Sequence, residues 1–138
     1  MYLLDTNVIS ENRKKDRANP GVRHFFQQTA KEDAPCFISV ITLGELRRGV
    51  DLIRHRGDQE QASLLEAWLQ RILNDYRDNV LDFSVDESQV WGRLRVPHPE
   101  NALDKQIAAT AWIYGLTLVT RNLGDFADTG VPLLNPFE

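Results

Sequence analysis

The sequence predicts a single α/β domain over residues 1–138, with a short central, mostly parallel sheet of four to five strands flanked by helices. Three observations carry this prediction. Short apolar runs recur along the chain, and polar–apolar alternation is weak in several of them, as in strands buried on both faces of a parallel sheet. Segments with helical apolar spacing lie between the runs, an order that implies right-handed crossovers. The 138 residues, 42% hydrophobic and 26% charged, suffice for one self-sustaining core and argue against disorder.

Taken in order, Tyr2–Leu4 is the first expected strand. Pro20, with Asn19 as N-cap, opens a helix running to about residue 31. Residues 35–40 (PCFISV) form a second strand, rich in residues that favour that state. Residues 42–54 carry Leu43, Leu46, Val50 and Ile53 at helical spacing. Asp58 opens another helix with Ala62, Leu65, Leu69, Ile72 and Tyr76 on one stripe and Leu64 and Trp68 on a neighbouring face. A stripe that wide suits either a well-covered core helix or a second packing partner. Residues 79–83 are a third strand, with Asp82 inside it, and 86–94 a shorter helix ended by Pro97 and Pro99. Ala102–Tyr114 is a helix whose alanines (Ala108, Ala109, Ala111) permit close approach to a sheet, with Gly115 as its stop. Residues 116–120 are a fourth strand and 131–134 a fifth.

Composition narrows the function classes. The only cysteine is Cys36, which precludes an internal disulfide and fits a reducing, cytoplasmic location; its place in an apolar run makes it a small core residue. No apolar stretch approaches the ~20 residues of a membrane helix, and the start MYLLDTNVIS lacks the basic region of a signal peptide. The net charge of −4 argues against a general nucleic-acid coat protein. Basic residues nonetheless gather at 11–23 (Arg13, Lys14, Lys15, Arg17, Arg23) and 45–56 (Arg47, Arg48, Arg54, Arg56). These are either solvated faces or a cationic rim guiding a polyanion toward an acidic centre.

Sites in open parallel sheets form beyond the C-terminal ends of the strands. Four acids stand there: Asp5 after the first strand, Glu45 in the helix after the second, Asp104 opening the alanine-rich helix, and Asp125 after the fourth. Each alone has an ordinary alternative, such as Asp5 capping a short helix or Asp104 complementing a helix dipole. Together they would repel one another and raise their own pKa values, a conflict that a hard divalent cation removes. Oxygen ligands without a histidine or cysteine cluster select Mg²⁺ or Mn²⁺, ions that suit phosphate substrates. His24, His55 and His98 lack metal-ligand spacing, and the chain has neither phosphate-binding glycine loops nor a nucleophile elbow.

The runs LLDTNVIS at 3–10, ITLGELRRG at 41–49, ALDKQIAATA at 102–111, LVTRNLGDF at 118–126 and GVPLLNP at 130–136 resemble the PIN-domain family, and within it the VapC and FitB toxins of type II toxin–antitoxin modules. The resemblance spans nearly the whole chain in order. It implies a Mg²⁺- or Mn²⁺-dependent endoribonuclease whose products carry a 5′-phosphate and a 3′-hydroxyl. On the family's pattern Asp5 and Asp104 look like direct metal ligands, Glu45 binds directly or through water, and Asp125 is the fourth acid. Thr6 and Thr120 would orient waters or carboxylates, and Asn122 would position the phosphate or Asp125. The resemblance further implies an RNA substrate, a cognate antitoxin, a homodimer and no membrane. An antitoxin would lay an apolar segment in a groove and push a basic side chain among the acids. Lys105, directly after Asp104, departs from the pattern and is expected to be solvated. Two other readings stand beside this one: a catalytically silent PIN-like binding module, and a phosphoacceptor receiver-like domain, disfavoured because Asp82 falls within its strand.

Overall fold

The computed structural model describes residues 1–138, and five parallel strands form its centre. They are β1 (Tyr2–Leu4), β2 (Cys36–Ser39), β3 (Val80–Leu81), β4 (Thr117–Val119) and β5 (Leu133–Leu134), in the spatial order β3-β2-β1-β4-β5. Every neighbouring pair is parallel; Tyr2 faces Cys36 on one side and Thr117 on the other. Seven helices flank them: α1 (Thr6–Asn12), α2 (Pro20–Glu32), α3 (Val40–His55), α4 (Gln59–Asp75), α5 (Val85–Leu94), α6 (Ala102–Tyr114) and α7 (Leu123–Phe126). No helix is long and apolar enough to cross a membrane.

The weak alternation in the strands has the expected cause. Leu3 and Leu118 point into one apolar cluster with Ile107, Ala108 and Ala111 of α6, while their neighbours Leu4 and Val119 point into another with Val8, Phe25, Leu46 and Leu69. Both faces of the sheet are therefore buried, and burying them is the main stabilising term. The alanines of α6 bring that helix close to the sheet, and Gly115 ends it with φ +65°, a left-handed conformation glycine adopts without strain. Asn19 caps α2 by accepting from the amides of Gly21 and Val22. Cys36 is half-buried against the α1–α4 cluster.

Two details differ from the sequence expectations, and a third decides between two readings left open there. The strands are shorter at their ends, and Asp82 follows β3 instead of lying within it. β3 is an edge strand separated from β1 by β2, so Asp82 stays apart from the residues that follow β1. The apolar stripe of 58–77 is mostly core: Leu65, Trp68, Leu69, Ile72 and Tyr76 pack on the α1–α4 cluster, and only Leu64 is broadly exposed.

Candidate active site

The strand order reverses between β1 and β4. The chain builds outward from β1 through β2 to β3, then returns to lay β4 on the other side of β1. The crevice beyond the strand ends at such a reversal is the natural ligand site of an open α/β sheet. Asp5 directly follows β1 and Thr120 directly follows β4, so the two flank that crevice.

Asp5 is buried and terminates its strand in extended backbone, where it caps α1. Its Oδ1 accepts from the Thr6 amide at 2.8 Å; its Oδ2 accepts from Thr120 Oγ1 at 2.8 Å and Asn7 Nδ2 at 3.3 Å. The Thr120 hydroxyl accepts in turn from the Asn122 amide at 3.0 Å, and Asn7 Oδ1 accepts from the Arg121 amide at 3.1 Å. The turn after β1 and the turn after β4 are thus laced together by side chains. Glu45, in the second turn of α3, joins from the β2 side through Oε1, which accepts from Thr6 Oγ1 at 3.1 Å. Asp125 lies in α7, its amide donating to the Asn122 carbonyl at 3.1 Å. Asp104 lies in the first turn of α6.

Electrostatics shows that these acids share one field. Burial raises the carboxyl of Asp5; hydrogen bonds from Thr120, Thr6 and Asn7 pull it back down, and the charge of Asp125 pushes it up again. Burial also raises Glu45, offset by the Thr6 hydroxyl and reinforced by Asp5. Asp104 receives no compensating donor. Burial and the charges of Asp5, Asp125 and Glu45 push it up to about 6. Repulsion of this kind favours a bound cation. No three acidic, histidine or cysteine side chains are grouped tightly enough to enclose an ion unaided. The all-oxygen set instead fits a hard cation that takes few carboxylates and keeps several waters, as Mg²⁺ does. The three histidines are exposed, and Cys36 starts its strand at the opposite end of the sheet.

A family description, PIN domain, matches residues 2–131. The chain belongs to the PIN-domain family. Toxin FitB of Neisseria gonorrhoeae is 34% identical, with 100% of this PIN domain and 99% of the toxin aligned. VapC ribonuclease Y4jK of Sinorhizobium fredii is 29% identical over the same shares. The crystal structure of FitAcB from Neisseria gonorrhoeae superimposes with a TM-score of 0.85 at 33% identity, covering 100% of this chain and 99% of that one. A toxin–antitoxin complex from Klebsiella pneumoniae superimposes with a TM-score of 0.67 at 28% identity over 100% and 99%.

Two residues of this PIN domain behave differently from the sequence expectation. Lys105 is buried, not solvated, and its Nζ donates to the His98 carbonyl. It stands three and four positions before Ala108 and Ala109 on the buried face of α6, so its amine must find an internal acceptor. It thereby fastens the 96–101 segment to the helix that carries Asp104. Asn7 escaped the sequence reading as a site residue, although it bridges Asp5 and Arg121; its signal was the run DTN directly after a strand.

Proposed function

We propose that this PIN domain is a Mg²⁺- or Mn²⁺-dependent endoribonuclease and the toxin of a type II toxin–antitoxin pair. The observation that carries the reading is the set of four mutually repelling acids at the strand-order reversal. The likeness to a protein named a VapC ribonuclease supports the reaction class. Asp5 and Asp104 would hold the cation directly, Glu45 directly or through water, with Asp125 as the fourth acid. The bound cation supplies a lowered pKa for the attacking water and charge stabilisation on the phosphate.

The chain's own residues do the rest. Asp5 is oriented by three donors before anything binds, so little ordering is left to do. Thr6 sets the angle between Asp5 and Glu45 because it contacts both. Thr120 holds Asp5 and the Asn122 amide, and the exposed Asn122 side chain is free to meet a phosphate. Asp104, which has no donor, must give up its proton before a cation binds. Hydrolysis leaves a 5′-phosphate and a 3′-hydroxyl. A cognate antitoxin would silence the centre by placing a basic side chain among the acids. A homodimer would cover exposed apolar residues, of which Trp112, Ile113 and Tyr114 close α6. The single cysteine suits a cytoplasmic setting.

The test is incubation of the purified protein with a mixed RNA pool in Mg²⁺ or Mn²⁺ and then in EDTA, beside Asp104→Asn. Cleavage that needs both the metal and Asp104 supports the reading. Absence of any Mn²⁺ binding by calorimetry would overturn it in favour of a silent binding module.

A further inference from the structure

Two glycines occur inside α3 where the backbone does not call for them. Gly44 and Gly49 sit in regular helix, and a Cβ on either would meet no atom within 4 Å. Glycine in a helix interior destabilises it relative to alanine, so the open space needs another reason. Gly49 lies one turn beyond Glu45 on the same helix face. It lines a cleft of about 220 Å³ between α1, α3 and α4 that also includes Thr6, Glu45, Trp68 and Arg13. The cleft therefore begins at the acid cluster. It continues through Arg13 and Trp68 into a second cleft of about 280 Å³ whose charged lining adds Lys15, Arg71 and Asp75, and from there to a surface formed by Arg13, Lys14, Lys15 and Arg17 alone. Carboxylates, an aromatic ring and cations follow one another along one continuous path.

We propose that the Gly49–Trp68–Arg13 cleft is a nucleobase subsite. It holds one unstacked base of a single-stranded RNA whose adjoining phosphodiester lies at the four acids, while the next phosphates run along Lys15 and Arg17. The assignment rests on the nuclease reading above. Its size is below the ~300 Å³ at which sites for drug-sized ligands begin, which suits a flat ring. The Arg13 guanidinium stands over the Trp68 ring at 5.9 Å from the centroid. Aromatic faces and guanidinium planes are the two surfaces on which splayed-out RNA bases stack. Arg13 has no carboxylate partner within 4.0 Å, and neither do Lys15, Arg17 or Arg71; Lys14 alone is paired, to Glu11 at 3.0 Å. A row of unpaired cations leading away from the ring fits a polyanion and opposes a basic protein segment.

The test uses the full-length protein and 8-mer single-stranded RNA oligonucleotides. Binding is measured by fluorescence anisotropy in an Asp104→Asn background, and cleavage sites are mapped in the active protein. Gly49→Leu places a side chain at the cleft wall, where an added Cβ meets no atom within 4 Å. It is expected to weaken binding roughly 5- to 150-fold, the range for one stacked base. It is also expected to raise KM more than it lowers kcat. Trp68→Ala is expected to match it, Trp68→Phe to restore most of the loss, and Arg13→Ala to alter which base flanks the cut. Because Trp68 is partly core, Gly49→Leu and Arg13→Ala keep the proposal testable if Trp68→Ala fails to fold. Lys15→Ala with Arg17→Ala is expected to lower the slope of log binding against log salt by about 0.7 per contacted phosphate. Unchanged affinity and cut sites in Gly49→Leu and Arg13→Ala, with the parent protein cleaving in Mn²⁺, would overturn the subsite alone. A parent protein that neither binds nor cleaves RNA would overturn it together with the nuclease reading. Variants that handle RNA normally but no longer hold a protein partner would assign the cleft to that partner instead.

Discussion

Thr120 Oγ1 donates a 2.8 Å hydrogen bond to Asp5 Oδ2 across 115 positions of sequence. Both residues are buried, and each is the first after its strand, β4 and β1. The bond spans the place where the strand order reverses, so it ties the two halves of the sheet together at the same point where it orients the central acid. Thr120 also accepts from the Asn122 amide, so its hydroxyl both donates and accepts.

Thr120→Val, which keeps the shape and removes the hydroxyl, is therefore expected to leave Asp5 one donor short and the Asn122 amide without its acceptor. Losing a buried hydrogen bond to a charged group costs about 1–3 kcal/mol. With that donor gone Asp5 is harder to ionise, and Mn²⁺ affinity is expected to fall with stability. Thr120→Ser is expected to restore both. Thermal melts and Mn²⁺ titration of the two variants check this; a Thr120→Val protein with wild-type metal affinity would refute it.

The surroundings of Asp5 also decide which acid best reports the repulsion. From sequence alone, Asp5→Asn is the natural choice for a charge removal that stabilises the metal-free protein. The structure shows three donors aimed at Asp5, and an amide NH₂ in place of either oxygen would face at least one of them. Asp104 has no such donors. Asp104→Asn is thus expected to raise stability in EDTA by about 1 kcal/mol once its half exposure is allowed for, a few degrees in Tm, while abolishing cleavage. Scanning calorimetry in EDTA is the measurement, and a lower Tm for Asp104→Asn would count against the acid cluster.

Much of this site is legible in the sequence because its acids follow strands or open helices, and strand ends are marked by where an apolar run stops. Asp5 and Asp125 announce themselves that way, Glu45 and Asp104 by standing near the start of a helix, and the electrostatics unites the four. Helix α7 is not legible, and α1 only as the short helix that Asp5 could cap. With four and seven residues, they are too short to show a periodicity. Lys105 was misread for a related reason. Its acceptor is the backbone carbonyl of His98, in a proline-rich stretch whose path no residue pattern specifies. Trp68 belonged visibly to an apolar stripe, but that one edge of the stripe borders a cleft follows from the absence of a side chain at Gly49 on another helix.

The buried amine of Lys105 makes a prediction of its own. Lys105→Met keeps the apolar stem and removes the link to His98. The 96–101 segment is then expected to loosen where it leads into Asp104. The expected result is a loss of roughly 1–3 kcal/mol, with kcat falling because Asp104 is less well placed. Faster amide hydrogen exchange confined to residues 96–104 would confirm the local origin; exchange unchanged there would show that Lys105 only fills space.

Stability against pH offers the most direct reading of the acid cluster, because two sets of carboxylates act in opposite senses. Asp104 has its folded pKa raised from 3.8 to about 6, and Asp5 and Glu45 are raised too. The folded state therefore binds more protons, so the penalty is fully present above pH 6 and fades as pH falls toward 3.8. Glu66 is the reverse case. Arg47 grips it with bonds of 2.6 and 2.8 Å, and Gln70 and Arg54 also donate, so its pKa falls from 4.5 to about 2. Its contribution, a tie between α4 and α3, is fully present above pH 4.5 and is lost as pH falls toward 2. In EDTA, Tm is thus expected to rise as pH drops from 7 to about 5 and to fall again below about 4. Asp104→Asn is expected to flatten the first limb and Glu66→Gln the second. Saturating Mg²⁺ is expected to invert the first limb, since the cation binds the deprotonated acids and stabilises the folded state most at pH 7. A first limb that is the same with Mg²⁺ and with EDTA would mean that the acids hold no metal.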